Sequence, residues 1–545
     1  MKANKEIYEQ VFDQMEMEME MVVDDREILL VDEIRKGLEL FLSAERLSTE
    51  ELTEILTIVD LIERLEIHRH FDHQIESILA SAYRFKKKKS YIKEDNSPLV
   101  DFEEELQVAV KERVELDVLE TLKDPVEEFT YFLAESSDKV LAILDLYRCS
   151  QIAFPFEAKI MSEAKEFAQK QLHRLLLEQH HLLQVEFTLD YPRKNLLPRF
   201  QSRNIVRQLW PGEGIVKTCL QLAKLDIDMT QKLHYEEIKE VKRWWMKHGL
   251  ENLEFARERI SKCHLSISGF IHEPKYSKMR IAHTKLAVLA TIIDDFVDQP
   301  SLSIDGLQRF SQATQRWDPS LLDGLPDPRR LFFCLETTIK EVAEESSKEQ
   351  EYDPYPFFKA LWQDHIAGAV QEASWRLKHQ IVKFDDYIPV ATKTVYVDVL
   401  VLAPAFLYGE PLTEADLHHV SENTQLLYHT RVIGRLFNDL ATFKREETHG
   451  EMNSGVSCYM RENPNITLEE TMTHLQNVIE AEVQELELEL FQTRSTVPES
   501  FRRLVVSFAR SMGFFYRKAD SYSNSFDKKN DTLVDDYVYY PLISS

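Results

Sequence analysis

The sequence predicts an all-α protein built from two helical domains. Segments along the chain repeat apolar residues at three- and four-residue spacing, as in VDEIRKGLELFL (31–42), LTIVDLIERL (56–65) and MSEAKEFAQKQLHRLLLEQHHLL (161–183). Alternation of apolar and polar residues, which would indicate half-buried strands, is rare. The 545 residues exceed one ordinary core, and 43% of them are hydrophobic, so each of two or three domains can bury a core.

The domain boundary is predicted at YPRKNLLPRFQSR (191–203), which has two prolines, several basic residues and no helical period. It divides the chain into an N-terminal helical domain, residues 1–200, and a C-terminal domain, residues 201–545. All the side-chain groups in which we recognise chemistry fall in the second domain.

Charge and composition exclude several kinds of partner. The formal net charge of −28 would repel nucleic acid and anionic membranes. No apolar run reaches the ~18–20 residues that a membrane span needs. Five scattered cysteines without a CxxC pair favour reduced thiols. The acidic start MKANKEIYEQVFDQMEMEMEM (1–21) lacks the pattern of a signal or transit peptide, which favours the cytoplasm, or the plastid if a transit peptide has been removed.

Three aspartates, Asp294, Asp295 and Asp298, end an otherwise apolar run in TIIDDFVDQ (291–299). On a helix they lie within about 100° of one another, so the three carboxylates would share one face beside a dry interior. Unpaired, they would repel one another, and a hard divalent cation such as Mg²⁺ resolves that conflict. A solvent-facing acidic helix end is the alternative, because Asp-Asp pairs recur in this chain, as at 385–386.

A second motif, NDLATFKRE (438–446), places Asn438, Thr442 and Glu446 at four-residue intervals. On a helix they form one stripe about 12 Å long that offers an amide oxygen, a hydroxyl and a carboxylate. The alternative is a polar helix face with chance spacing. Together, the two motifs would hold several hard cations at the mouth of an apolar cavity, which suits a diphosphate attached to a hydrocarbon chain.

With these motifs the sequence resembles plant class I terpene synthases. DDFVD (294–298) matches the family's DDxxD, and NDLATFKRE matches its (N/D)Dxx(S/T)xxxE. Arg257 and Arg259, in RER, match the RxR of many members, and Arg435 stands three residues before Asn438, as the family's diphosphate-binding arginine does. EPKYSKMRIAHTK, QRWDPSLLDGLPD and GEMNSGVSCYMRENP are similar to gymnosperm-type members, whereas FFYRKADSYS and YYPLISS resemble kaurene-synthase-like enzymes.

The resemblance implies a catalytic class I α-bundle after a non-catalytic, α-barrel-type N-terminal domain. It also implies a prenyl diphosphate substrate and a cluster of Mg²⁺ ions, three in the family, with Mn²⁺ as an alternative metal. The two motifs would hold the metal, and the three arginines would bind the diphosphate. Asp520 and Tyr522 match a C-terminal Asp-x-Tyr that orders the closing loop near the carbocation, although a solvent-facing helix end would explain them equally. The class II motif DxDD is absent, and we expect a monomer.

The sequence leaves two substrate lengths open. The acidic start favours cytosolic farnesyl diphosphate and a sesquiterpene product, which is the first expectation. Ser266 favours geranylgeranyl diphosphate and a diterpene, because it stands seven residues after Arg259, where several sesquiterpene members have a pocket-wall tryptophan. The C-terminal resemblance points the same way, and the missing RRx8W disfavours geranyl diphosphate. A non-catalytic helical scaffold that retains the motifs is the alternative from another functional class.

Overall fold

The computed structural model describes residues 26–42, 48–90, 139–153, 158–178, 182–299, 301–350, 352–408, 425–448, 452–490, 497–517, 528–540 and 542. Helices make up the regular structure, and no β-strand occurs in these ranges, so the all-α prediction is confirmed. The chain divides into two compact units, Met1–Lys232 with Tyr539–Ser545, and Leu233–Val538. This division lies inside a long helix, later in the chain than the boundary predicted at residue 200.

The first unit is a set of amphipathic helices. They are α1 (26–42), α2 (Thr49–Arg64), α3 (Asp72–Ser90), α4 (Lys139–Cys149), α5 (Ala158–Glu178), α6 (Leu183–Asp190), α7 (Pro198–Leu209) and the first part of α8 (Gly214–Lys247). Their apolar stripes bury side chains such as Ile34, Val59 and Leu220 in a shared core. Inside this unit Asp226 is buried and pairs with both Arg69 and Arg199, which compensates the cost of burying its charge.

The second unit continues α8 and adds the helices that carry both acidic motifs. These are α9 (Ile260–Ser268), α10 (Ser277–Val297), α11 (Ile304–Arg316), α12 (Pro326–Ser346), α13 (Tyr355–Leu377), α14 (Phe384–Ala391), α15 (Gln425–Thr448), α16 (Gly455–Glu462), α17 (Leu468–Leu490), α18 (Glu499–Phe515) and α19 (Lys528–Tyr539). Between α14 and α15 the backbone passes through a π-helix, Asp398–Leu402, and a helical turn, Ala403–Ala405.

Helix α10 lies in the interior of this unit because its sequence is apolar on nearly all sides. It packs against α9, α12 and α13. Three buried polar side chains fix its position at the first turn: Arg280 donates to Glu237 of α8 through Nε (2.9 Å) and Nη2 (2.6 Å), and His264 of α9 lies 2.7 Å from the same carboxylate. The carboxylate of Glu237 therefore ties α8, α9 and α10 together around one buried ion pair.

Helix α15, which carries the second motif, packs against α16, α17 and α18. Its approach to α18 is close at Gly434, where an added Cβ would stand 2.5 Å from Met512 Sδ. A larger residue at position 434 would therefore displace the end of the Met512 side chain where these two helices cross. No helix in the described part of the chain is both long enough and apolar enough to cross a membrane.

Candidate active site

The first acidic motif ends helix α10, where buried apolar side chains give way to solvent. Asp294 is half-buried, Asp295 is buried and Asp298 is exposed. The backbone N–H of Asp298 closes the helix by donating to the carbonyl of Asp294 at 2.9 Å. The motif therefore stands at the rim of the bundle, as the sequence predicts.

Asp295 faces the two arginines of RER rather than its acidic neighbours. Arg259 donates to it through Nη1 (2.7 Å) and Nη2 (3.0 Å), and Arg257 through Nε (3.2 Å), Nη2 (2.5 Å) and its backbone N–H (3.1 Å). Burial would raise the pKa of Asp295, but these hydrogen bonds outweigh it and the pKa is lowered. The 100° step between consecutive helical residues is what separates its carboxylate from that of Asp294.

Asp294 has the opposite environment. Burial, and after it the nearby charge of Asp298, hold its pKa well above the ordinary range for an aspartate, and Asp295 and Glu372 add to the effect. A hydrogen bond from Tyr396 works in the other direction without reversing it. A carboxyl group surrounded by further acids and partly removed from water is a suitable ligand for a divalent cation, because the cation supplies the charge that these neighbours lack.

The second motif forms one stripe on α15, as predicted. Arg435 donates through Nη2 to the amide oxygen of Asn438. The hydroxyl of Thr442 is buried and donates to the backbone carbonyl of Asn438 at 2.9 Å, which leaves its lone pairs for a ligand. Glu446 is half-buried at the next turn.

Sequence reasoning missed Asp439, which anchors this helix. It is fully buried and accepts hydrogen bonds from the hydroxyl of Tyr387 (3.0 Å) and the backbone N–H of Gly455 (2.7 Å), and it pairs with Arg435 at 2.7 Å. Gly455 is required here because a Cβ at that position would stand 2.8 Å from Asp439 Oδ2. The signal in the sequence was the acid that follows Asn438, which has no place in the stripe of predicted metal ligands.

Glu372, also missed, connects the two motifs from a third helix, α13. Burial raises its pKa to about 7, although Arg435, whose Nη1 lies 4.0 Å from Glu372 Oε1, opposes the shift. The charges of Asp439 and Asp298 also act on Glu372, so it lies within electrostatic range of both motifs. A lone acid in the otherwise apolar stretch IAGAVQEASW (366–375) is the sequence signal that could have found it.

Arg435 is the cation at the centre of this arrangement. Burial would lower its pKa, but the neighbouring acids, Asp439 first, raise it well above its usual range, so the guanidinium stays charged. Its Nε is buried and finds no hydrogen-bond acceptor among the described residues. A buried charged donor without an acceptor fits an anionic ligand such as a diphosphate oxygen.

Within the described ranges, no three His, Cys, Asp or Glu side chains converge closely enough to form a complete metal site by themselves. The predicted ligand sets explain this, because Asn438 and Thr442 are neutral donors and Asp295 is occupied by arginines. Mg²⁺ is usually held by one or two carboxylates together with water and substrate phosphates, so the side chains present fit it as a partial cage.

Two family models match the chain. The one described as "Terpene synthase, N-terminal domain" covers residues 2–189, and "Terpene synthase family, metal binding domain" covers residues 246–485, which include both acidic motifs. The chain belongs to the terpene synthase family. This result confirms the resemblance inferred from the motifs.

Individual members of the family are similar to this chain over most of its length. Isopimaradiene synthase, chloroplastic, from Picea sitchensis is 32% identical over 520 residues, which are 90% of this chain and 59% of that protein. The chain thus spans about three fifths of the length of the curated relatives it matches. Abietadiene synthase from Abies grandis has a similar structure, with a TM-score of 0.76, 28% identity and coverage of 90% of this chain and 68% of that one.

A second solved structure is that of isoprene synthase from grey poplar (Populus x canescens), in complex with three Mg²⁺ ions and dimethylallyl-S-thiolodiphosphate. Its TM-score is 0.79 at 25% identity, and the match covers 96% of this chain and 98% of that one. The two-domain helical architecture predicted from the sequence is therefore that of its structural neighbours.

Three further positions singled out from the sequence are Asp520, Tyr522 and Ser266. Asp520 and Tyr522 lie outside the described residues. Ser266 is buried, and its hydroxyl contacts the carbonyl of Cys263 (2.7 Å) and Nε2 of His283 (3.0 Å). The position where several sesquiterpene members have an indole ring is thus occupied here by a small side chain within a hydrogen-bond network.

Proposed function

We propose that this protein is a class I terpene synthase that ionises a C20 prenyl diphosphate, geranylgeranyl diphosphate or another C20 diphosphate, and converts the carbocation to a diterpene. One observation carries the proposal. The charge of Glu372 acts on Asp294, those of Asp298 and Arg435 act on Glu372, and Arg435 belongs to the helix of the second motif, which supports a single site formed by both motifs. Excess acid at one end and a buried guanidinium at the other suit a metal–diphosphate complex.

In this mechanism Asp294 and Asp298 offer carboxylate oxygens from one side, and the Asn438, Thr442 and Glu446 stripe offers mixed oxygen donors from the other. Mg²⁺ bound there would neutralise the charge that develops on the leaving diphosphate. Asp295 has a different role, because it holds the two arginines of RER in position.

The arginines supply the remaining positive charge. Arg435 binds a diphosphate oxygen through its buried Nε, and Arg257, whose side chain is 54% exposed, can turn from Asp295 towards the same group. The C–O bond breaks with its electron pair leaving on the diphosphate, and an allylic carbocation remains. Arg259 is only 6% exposed and serves to hold Asp295. Asp520 and Tyr522 are proposed to close the site against water.

The choice of a C20 substrate reverses the first expectation from the sequence, which was farnesyl diphosphate. The support comes from relatives named as isopimaradiene, levopimaradiene and abietadiene synthases, at 30–32% identity. Ser266 supports it as well, because a serine leaves more room for a hydrocarbon chain than a tryptophan does. We also propose the plastid rather than the cytoplasm, since these relatives are named chloroplastic.

The test is incubation of the protein and Mg²⁺ with C10, C15 and C20 prenyl diphosphates, followed by gas chromatography of the hydrocarbons and a parallel assay of released diphosphate. We expect turnover of a C20 substrate and its loss in Asp294→Asn. Asp386→Asn is the matched control, because it changes one acid of an exposed Asp-Asp pair on α14.

Other outcomes have distinct meanings. Turnover of farnesyl diphosphate alone would overturn the substrate assignment and leave the reaction class standing. Absence of diphosphate release with every chain length would favour a non-catalytic scaffold. Repeating the assay with Mn²⁺ tests the alternative metal, and gel filtration tests the predicted monomer.

A further inference from the structure

An irregular stretch of backbone, residues 392–402, follows α14 and is named here the linking segment. Tyr396 has a φ of 64°, which is uncommon for a residue other than glycine, and a π-helix follows at Asp398–Leu402. In a regular helix the N–H of residue 404 would donate to the carbonyl of Leu400, but residue 404 is proline and has no N–H. Carbonyl groups in this segment therefore need donors from elsewhere.

Two histidines supply such donors. His283 of α10 donates from Nδ1 to the carbonyl of Leu400 at 2.9 Å. His365 of α13 donates from Nδ1 to the carbonyl of Lys393 at 3.0 Å. Because a carbonyl can only accept, Nδ1 carries a hydrogen in both rings. Nε2 of His283 lies 3.0 Å from the hydroxyl of Ser266, which also donates to the carbonyl of Cys263.

Burial favours the neutral form of both imidazoles. His283 is 0% exposed and His365 is 3% exposed. Burial lowers the pKa of each ring to about 4. The hydrogen bonds therefore do not change with pH across the range in which enzymes ordinarily work.

The linking segment lies against two acids of the candidate active site. The hydroxyl of Tyr396 lies 3.1 Å from the carbonyl of Ala290 and also forms a hydrogen bond with Asp294. The side chain of Thr394 forms one with Glu372. The ring of His365 packs on that of Tyr396 with centroids 4.5 Å apart. A shift of this segment would thus move groups that contact the acids of the site.

We propose that His283 and His365 are positioning residues that hold the linking segment against α10 and α13, and that they thereby determine which hydrocarbon products form. This inference rests on the proposed function. Histidines that only fill the core would need no such role, but these two come from different helices and both bind carbonyls of a segment that borders Asp294 and Glu372. Small displacements of a wall near a carbocation change the competition between its possible reactions.

The experiment compares His283→Phe with His283→Asn. Phenylalanine preserves the ring and removes the donor, whereas the asparagine amide nitrogen can occupy the place of Nδ1. We expect His283→Phe to lower the midpoint of thermal unfolding by about 2–8 °C. With the C20 substrate, the ratio of the main product to its side products should change by about tenfold, and diphosphate release should continue. His283→Asn should stay close to the wild type in both measurements.

A second substitution makes the test specific. Pro404→Ala restores an N–H at residue 404, which can donate to Leu400 in place of His283. We expect Pro404→Ala to recover stability and product ratio in the His283→Phe background but not in the His365→Phe background. His173→Phe is the control, because His173 also contacts a backbone carbonyl, Gln169 at 2.8 Å, but on an exposed helix of the first unit.

Two results would overturn the inference. One is an unchanged product mixture in both phenylalanine variants despite lowered stability, which would make the histidines structural only. The other is failure of Pro404→Ala to act selectively on His283→Phe. An inactive wild-type protein would instead refute the proposed function, and the selective recovery of thermal stability would still decide whether the histidines hold the segment.

Discussion

Adjacent aspartates in the first motif should respond in opposite ways to the same isosteric substitution. Asp295 accepts hydrogen bonds from two arginines, while Asp294 is surrounded by acids. Replacing each by asparagine keeps the shape and removes the charge. We expect Asp295→Asn to destabilise the metal-free protein and Asp294→Asn to stabilise it, although both should lose activity.

The loss of stability expected for Asp295→Asn comes mainly from removal of the ion pair with Arg259. Both partners of that pair are buried, with side chains 6% and 4% exposed, and removal of one partner of a buried pair costs about 3–5 kcal/mol. The Arg257 side chain is 54% exposed, so its share is screened and adds about 1 kcal/mol at most. At about 2–4 °C for each kcal/mol, the midpoint of thermal unfolding should fall by roughly 6–24 °C.

The increase in the free energy of unfolding expected for Asp294→Asn should depend on pH. The pKa of Asp294 is higher in the folded protein than in the unfolded chain, so the protonated carboxyl stabilises the fold and that contribution is lost as pH rises. Asparagine resembles the protonated form at every pH. The variant should therefore exceed the wild type by about 0.5–2 kcal/mol at alkaline pH and by less at acidic pH.

The assay is thermal unfolding followed by circular dichroism, with chelator present, at pH 6 and pH 8.5. Asp386→Asn is the control for loss of one negative charge at an exposed site. Turnover with Mg²⁺ should fall about a hundredfold or more in Asp294→Asn. Equal stability changes in the two variants, or a destabilised Asp294→Asn, would refute the different environments assigned to these side chains.

Further predictions concern metal, buried charge and acid. The pKa of Glu372 is raised to about 7, so the protonated form, which stabilises the fold, is lost as pH rises through that value. The ionised carboxylate attracts a cation, so Mg²⁺ should raise the midpoint of thermal unfolding more at pH 8 than at pH 6. Equal shifts at the two pH values would contradict this. Glu237→Leu should cost about 3–5 kcal/mol in urea unfolding by leaving Arg280 unpaired, and Arg280→Met added to it should recover most of that loss. The folded pKa of His283 and of His365 is about 4 against 6.5, so the free energy of unfolding should fall by about 2 kcal/mol per ring between pH 7 and pH 5; a variant lacking either ring should lose its share.

Local periodicity was sufficient to predict the helices and the stripe of Asn438, Thr442 and Glu446, because the direction of a side chain around its own helix follows from the residue number. It was insufficient for Asp295, whose partners lie 36 and 38 residues earlier in the chain. The residue number gives the direction in which the Asp295 side chain leaves its helix, but not which other segment of the chain lies in that direction. The partner segment is determined by tertiary packing.

The same limit applies to Glu372. It belongs to neither motif, and its importance arises only because α13 packs against α10 while its carboxylate lies near Arg435 of α15. The irregular backbone after α14 could not be predicted either, because Tyr396 takes a conformation that the residue disfavours on its own and that its surroundings must compensate.

Asn438 and Asp439 divide two tasks between neighbouring positions on α15. Asp439 is held by Tyr387, Gly455 and Arg435, so the helix keeps its place without help from the residue beside it. If Asn438 is a metal ligand, as proposed, exchanging it for aspartate or another oxygen donor should change the affinity for the cation with little effect on the stability of the fold. Substitutions should therefore be tolerated better at Asn438 than at Asp439, which is not a predicted metal ligand but holds the helix in place.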